Sequence, residues 1–256
     1  MKTRLTFVFL VAVVACTSLM RADETYALRN RVPVHSPAVA AYLNHGLELC
    51  EKGAYDQARA YYTTAIAQDN KAWPLYLDRA GVFKELRRPD LAIQDYTTVL
   101  QLVPGLLMVQ VMRGHVYEAI SQYSHALADY DHIIKITPAS LPYNRAFALN
   151  GRAWLRSTCP DASFRNGTAA ITDAKQACNC TSWNEPSYID TLAAAHAETG
   201  DFDSAIRFQQ QAIGQLREPK YQIKNPQERY TFHQHRLASY QARLASYQRH
   251  QAWRAK

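Results

Sequence analysis

The sequence predicts an all-α protein, a solenoid built from antiparallel helix pairs. Three small residues, Gly46, Ala80 and Gly114, lie 34 residues apart within apolar stretches. Each is followed by an alanine after twelve residues and by a tyrosine after sixteen. A period of this length, with small residues at two fixed points, is typical of paired helices whose axes cross closely. One such pair cannot bury its apolar face alone, so successive pairs are expected to stack around one continuous core.

The helix pairs can be placed in order along residues 38–218. Five are predicted, near residues 39–72, 73–106, 107–140, 142–180 and 186–218. Pro104 and Pro138 close the second and third pairs. The fourth pair is stretched, because Pro160 ends its first helix and Asn166-Gly167 has turn chemistry before its second. No alternating strand pattern recurs, so almost no β-sheet is expected.

These patterns resemble the tetratricopeptide repeat family. The first unit carries the family's small residue, alanine and aromatic residue at Gly46, Ala58 and Tyr62. Residues 150–216 are similar to a variant C-terminal repeat pair of many bacterial members. The resemblance implies a right-handed superhelix and a scaffold that binds other proteins.

The resemblance also implies a concave groove lined by the first helix of each pair. The residues expected to line it are Leu43, Leu47, Leu77, Lys84, Met108, Val111, Met112, His115, Arg145 and Arg152. This groove is apolar in its N-terminal half and basic near the fourth unit, which suits an extended peptide or an amphipathic helix. Family members that bind chaperone tails hold a carboxylate with Lys, Asn and Arg. Here those places carry mostly Leu and Met, which argues against that ligand.

Residues 1–16 resemble a bacterial lipoprotein signal. A positively charged start precedes an apolar run that is too short for a usual membrane span, and small residues precede Cys16. This pattern predicts lipid attachment at Cys16, a tether over residues 17–37 and a location in the cell envelope. The alternative is ordinary signal cleavage near Ala22, which gives a periplasmic or secreted protein.

Residues 219–256 are predicted to form a basic helical cap. From Leu216 onward nine Lys or Arg face two Glu, an excess of 9 − 2 = +7 that equals the whole formal net charge. The hexapeptide Arg-Leu-Ala-Ser-Tyr-Gln occurs twice, seven residues apart, which aligns Leu237, Tyr240, Leu244 and Tyr247 in one stripe. A helix that covers the last repeat and shows its basic face to water is expected. The alternative is a contact with anionic lipid; a nucleic-acid partner is disfavoured because the leader exports the chain.

Two ion pairs are predicted inside the repeats. Arg79 and Arg113 each precede the small residue of a first helix, and Asp95 and Asp129 follow sixteen residues later, each just before a tyrosine. The same substitution at the same offset in consecutive repeats predicts Arg79–Asp95 and Arg113–Asp129 pairs across the two helices of a unit.

Catalytic chemistry is not indicated by the sequence. It contains no zinc-protease His pair, phosphate-binding loop or serine elbow, so no enzymatic activity, cofactor, metal or small-molecule substrate is predicted. Beyond Cys16, buried thiols rather than disulfides are expected at Cys50, Cys159, Cys178 and Cys180. The alternative function is a regulatory or enzymatic domain that uses the Cys and His residues of the variant repeat.

Overall fold

A computed structural model describes residues 37–138, 142–218 and 228–255, and in the last range it describes side chains from residue 234 onward. Over these ranges the chain contains helices and no strand, which confirms the predicted all-α solenoid of helix pairs. The helices are α1 (Pro37–Glu51), α2 (Tyr55–Gln68), α3 (Trp73–Glu85), α4 (Pro89–Leu102), α5 (Leu107–Ala119), α6 (Tyr123–Ile136), α7 (Pro142–Thr158), α8 (Gly167–Cys180), α9 (Pro186–Glu198), α10 (Phe202–Leu216) and α11 (Glu228–Gln248). A short 3-10 turn, Ala162–Phe164, lies between α7 and α8.

The chain divides into two compact units, Met1–Val116 and Tyr117–Lys256. The division falls inside α5, and each unit has buried clusters of its own. This differs from the single continuous core that the sequence predicts. The physical reason is the repeat architecture, in which each pair packs mainly on its neighbours.

The small residues of the first helices make room for tyrosine rings. A Cβ atom built on Gly46 would collide with the ring of Tyr62, and one built on Gly151 would lie 2.7 Å from Cζ of Tyr130. Both tyrosines are almost fully buried. The periodic glycine and tyrosine therefore form one packing unit, in which the missing side chain of one helix accommodates the ring of another.

The stretched fourth pair is ordered by local capping. The Asn166 side chain accepts a hydrogen bond from the Ala169 backbone N–H at 3.0 Å and caps α8. The Arg165 guanidinium donates to the Cys159 carbonyl at 2.9 Å and pairs with Glu198. The interruption after Pro160 is therefore a structured connection between α7 and α8.

The predicted pair between Arg79 and Asp95 is confirmed. The Arg79 guanidinium donates from Nε and Nη2 to the two carboxylate oxygens of Asp95, both at 2.8 Å, and from Nη1 to Thr63 Oγ1 at 3.1 Å. Arg113 repeats the last contact, donating to Thr97 Oγ1 at 3.0 Å. Arg113 and Asp129 belong to different units, and the Arg113–Asp129 pair remains a prediction.

Candidate functional site: the inner faces of the first helices

The inner face of the first unit, defined here as the exposed inward side of α1, α3 and the start of α5, carries apolar side chains. Leu47 is 53% exposed, and it matters here because other apolar side chains lie beside it on the same face. Leu43, Leu77 and Met108 are partly exposed. These four predicted groove residues remain available for contact with a partner.

One predicted groove residue, Val111, belongs instead to the packed interior, and Met112 is only partly exposed. Val111 is only 2% exposed, and Met112 packs against a buried cluster that includes Ala80 and Tyr96. An α-helix has 3.6 residues per turn, so consecutive side chains point in directions about 100° apart. A shift of one position is therefore enough to move a side chain from the groove into the core, and Val111 is not part of the surface, whereas Met112 is partly exposed, as Leu77 is.

Carboxyl groups on α3 lie beside this apolar surface. The Tyr62 hydroxyl donates to Asp78 Oδ2 at 3.3 Å. Burial raises the pKa of Asp78 to about 7, against the opposing effect of the Tyr62 hydrogen bond. Glu85 has a buried Oε1 atom that accepts no hydrogen bond from a described residue. Burial, together with the charges of Asp78, Glu85 and Glu51, raises the pKa of the Cys50 thiol to about 11. Family register places Asp78 at one of the positions that hold a carboxylate in chaperone-binding members, but the predicted groove residues include neither Asp78 nor Glu85.

Lys84 and His115 complete the predicted set in the first unit. Lys84 is partly buried, and its charge lowers the pKa of Glu85, although burial of that carboxyl has the larger, opposite effect. His115 is exposed. The surface is therefore apolar with an acidic margin on α3 and at least one lysine.

In the second unit, the two predicted groove arginines are engaged within the fold. Arg145 donates from Nη1 to the carbonyl oxygens of Ile134 and Thr137 at 2.6 and 3.2 Å, at the end of α6. Arg152 forms two hydrogen bonds with Asp173, at 2.7 and 2.8 Å, and one with Asp131 at 2.5 Å. Carboxylates therefore offset the charge of Arg152, whereas Arg145 keeps its charge but directs its guanidinium to helix-end carbonyl oxygens instead of a free groove surface.

The C-terminal helix α11 packs on the second unit through the predicted stripe. Tyr240 and Tyr247 are almost completely buried. Leu237 and Leu244 are partly buried against the cluster formed by α7 to α10. The doubled hexapeptide thus provides the apolar side of a cap, as the sequence predicts.

Arg243 of this cap is buried, which the sequence did not predict. Its Nε donates to Asp190 Oδ1 at 2.7 Å, and its side chain is 8% exposed. Its guanidinium carbon lies 5.4 Å from the ring centroid of Trp154, 5.0 Å from that of Tyr240 and 5.7 Å from that of Trp253. Asp190 occupies the same repeat position in α9 as Leu77 does in α3. The C-terminal helix packs mainly on α10 and reaches Asp190 of α9 with an arginine held among aromatic rings.

Other basic residues of the tail also turn toward carboxylates. Arg254 pairs with Glu198 at 2.7 Å, and Arg236 lies 3.8 Å from Glu185. Only part of the predicted basic face thus remains toward water. Three of the nine basic residues from Leu216 onward, namely Arg236, Arg243 and Arg254, thus pair with carboxylates of the repeats.

The described cysteines are unpaired, and their thiols are poorly suited to nucleophilic chemistry. Cys159 and Cys178 are buried, and burial raises the pKa of Cys178 to about 12, so its reactive thiolate is disfavoured. Among the described residues no group of three or more His, Cys, Asp or Glu is placed to hold a metal ion. None of the described helices is long and apolar enough to cross a lipid bilayer.

Comparison with solved structures identifies the fold. PilF from Pseudomonas aeruginosa superposes with a TM-score of 0.58 at 16% identity, over 81% of this chain and 90% of that chain. A tetratricopeptide repeat protein from Parabacteroides merdae gives 0.55 at 18% identity, over 94% and 93%. MamA from Desulfovibrio magneticus gives 0.53 at 17% identity, over 71% and 97%. At these identities the likeness establishes a tetratricopeptide-like fold.

Sequence comparison gives a shorter match. The DnaJ homolog subfamily C member 7 homolog of Schizosaccharomyces pombe is 31% identical over 97 residues, which are 36% of this chain and 20% of that protein. The chain therefore spans about a fifth of the length of this curated relative. No protein-family model matches the chain.

Proposed function

We propose that this protein is a non-enzymatic scaffold whose first unit binds an extended peptide or helix of a protein partner. Tetratricopeptide-like folds generally mediate protein–protein interaction. The observation that carries the proposal is the exposed apolar surface on α1, α3 and the start of α5, centred on Leu47. In the second unit α9 is buried along almost its whole length, whereas Leu47 stays more than half exposed in the first unit.

The experiment uses a displayed library of random peptides selected on the full-length protein. Peptides that bind the proposed surface should lose affinity for a Leu47→Glu variant, because a charge then replaces the most exposed leucine of the face. Leu102→Glu is the matched control, since Leu102 is 38% exposed but lies on the second helix α4. Binding that survives both substitutions, or a selection that enriches no peptide, rejects the proposal. Circular dichroism of each variant verifies the fold.

The cellular place proposed for this scaffold is the envelope, with a lipid anchor at Cys16. This residue lies outside the described ranges, and the proposal rests on the pattern of residues 1–16. In the bacterial envelope such a protein would assist assembly of an envelope or secretion complex. A Cys16→Ser variant should leave the membrane fraction or accumulate as unprocessed precursor. Unchanged processing and membrane association would reject the lipid anchor and favour ordinary signal cleavage near Ala22 or another attachment.

A further inference from the structure

Building on the proposed function, we infer that the segment bound by the first unit presents an arginine, which pairs with Asp78 beside the apolar surface of Leu43, Leu47 and Leu77. Asp78 lies on α3, one residue from Leu77, and its Oδ2 accepts a long, 3.3 Å hydrogen bond from Tyr62. Among the described residues, no Lys or Arg forms an ion pair with Asp78.

The electrostatic environment of Asp78 favours a cation. Glu85 lies two turns further along the same helix, with a buried Oε1 that accepts no hydrogen bond from a described residue. The charges of both carboxyls, together with that of Glu51, raise the pKa of the Cys50 thiol of α1, so both lie near this thiol. The charge of Lys84 lowers the pKa of Glu85, whereas the pKa of Asp78 is lowered by the Tyr62 hydrogen bond. A partly buried carboxyl without a cation is costly, and an incoming positive charge would relieve that cost.

The second unit shows how a buried carboxyl of this chain is paired. Asp190, at an inner-face position of α9, receives the buried guanidinium of Arg243 and also accepts a hydrogen bond from Gln209 Nε2 at 2.7 Å. The arginine arrives on a helix whose neighbouring side chains are aromatic and aliphatic, Tyr240, Leu244 and Tyr247. Asp78 occupies the next register position in α3 and has an apolar surface beside it. The recognition chemistry inferred for the first unit is therefore that of α11: an arginine flanked by apolar side chains.

Arginine fits better than lysine for a physical reason. Its guanidinium is planar and weakly hydrated, so it can approach a partly buried carboxyl at a smaller desolvation cost than an ammonium group. An ammonium group keeps its water more strongly and lacks the paired donors of the guanidinium fork.

The test uses the peptides whose capture depends on Leu47. These peptides should be enriched in arginine, and their affinity should fall about thirtyfold or more in an Asp78→Asn variant, as expected when one partner of a desolvated charge pair is removed. Asp90→Asn is the control, because Asp90 is an exposed carboxylate of α4 that pairs with Arg88. It should leave affinity unchanged.

A second measurement leaves the protein unaltered, in case Asp78→Asn disturbs the fold. Replacing the peptide arginine by glutamine should weaken binding to the wild-type protein as strongly as Asp78→Asn does, and should have no further effect on that variant. Leu47-dependent peptides without arginine enrichment, or with equal affinity for the wild type and Asp78→Asn, overturn the inference and leave the proposed binding surface intact. A complete lack of Leu47-dependent peptides rejects both.

Discussion

Arg79 and Asp95 allow the most direct test of how these repeats are held together. The two side chains share two hydrogen bonds of 2.8 Å, and they are only 16% and 4% exposed. Arg79 also lies over the rings of Tyr76 and Phe83, with 5.6 Å to each centroid. Replacing Arg79 by methionine keeps much of the aliphatic volume but leaves the Asp95 carboxylate buried without its cation. We expect a loss of about 3 kcal/mol in the free energy of unfolding.

A double-mutant cycle with Arg79→Met and Asp95→Asn separates the pair from other effects. The coupling energy should be about 2 kcal/mol, because the double variant no longer contains a stranded charge. Arg88 and Asp90 provide a matched control at 3.3 Å, with side chains 56% and 62% exposed. Water screens this second pair, so its coupling should be under about 1 kcal/mol. Urea unfolding at equilibrium, followed by circular dichroism, measures both cycles.

The pH dependence gives an independent signature. Burial raises the pKa of Asp95, although Arg79 lowers it through hydrogen bonds and charge. Removing Arg79 deletes the lowering influence, so the folded-state pKa of Asp95 should rise further above its unfolded value. A raised folded-state pKa favours the folded state at low pH, and this advantage disappears as the pH rises through that pKa. The penalty of Arg79→Met should therefore shrink on acidification. A coupling energy no larger than that of the control pair, together with a pH-independent penalty, would refute the reasoning.

Three further predictions concern other parts of the fold. Gly46→Ala should lower the free energy of unfolding by about 1–3 kcal/mol, because the new Cβ atom meets a tyrosine ring. Gly214 lies in a helix with open space around it, so Gly214→Ala should stabilise the protein by about 0.5–1 kcal/mol. Thermal unfolding of both variants measures the two effects. Burial raises the pKa of Asp78 to about 7, so the ionised carboxylate destabilises the folded state above that pH. Asp78→Asn should therefore stabilise the protein at pH 8 by up to about 4 kcal/mol. Urea titrations should show that this gain vanishes near pH 4. Arg243→Ala should strand Asp190 and accelerate hydrogen exchange in α11 while α1 to α4 keep their protection; equal protection of α11 would show that the arginine does not attach the cap.

The repeat architecture was accessible from the sequence because its determinants are local and periodic. Small residues such as Gly46 recur at one register position, and tyrosines such as Tyr62 recur at another, so helix type and pairing follow from spacing. The Arg79–Asp95 pair could be predicted for the same reason, since both partners recur at a fixed offset. The apolar stripe of α11 is also a property of helical periodicity.

The candidate site was only partly accessible. Register identifies Leu43 and Leu47 as inner-face residues, and they are exposed there. It also assigned Val111 and Met112 to the groove, although neighbouring helices bury the first and pack against the second. Register describes one helix at a time, whereas exposure depends on how closely the adjacent helices approach.

By itself, the sequence determined the helix periodicity, the order of the pairs and the amphipathic stripe of the cap, because each depends on contacts between residues close in the chain or at a repeating offset. Only the tertiary structure decided which of the charged residues outside the repeating offset, such as Arg152 and Arg243, form ion pairs within the fold. Arg243 meets Asp190 from 53 residues away, and Arg152 meets Asp131 and Asp173 from 21 residues on either side. An arginine has the same charge whether it faces water or a buried carboxylate, and its place is set by the packing of distant helices.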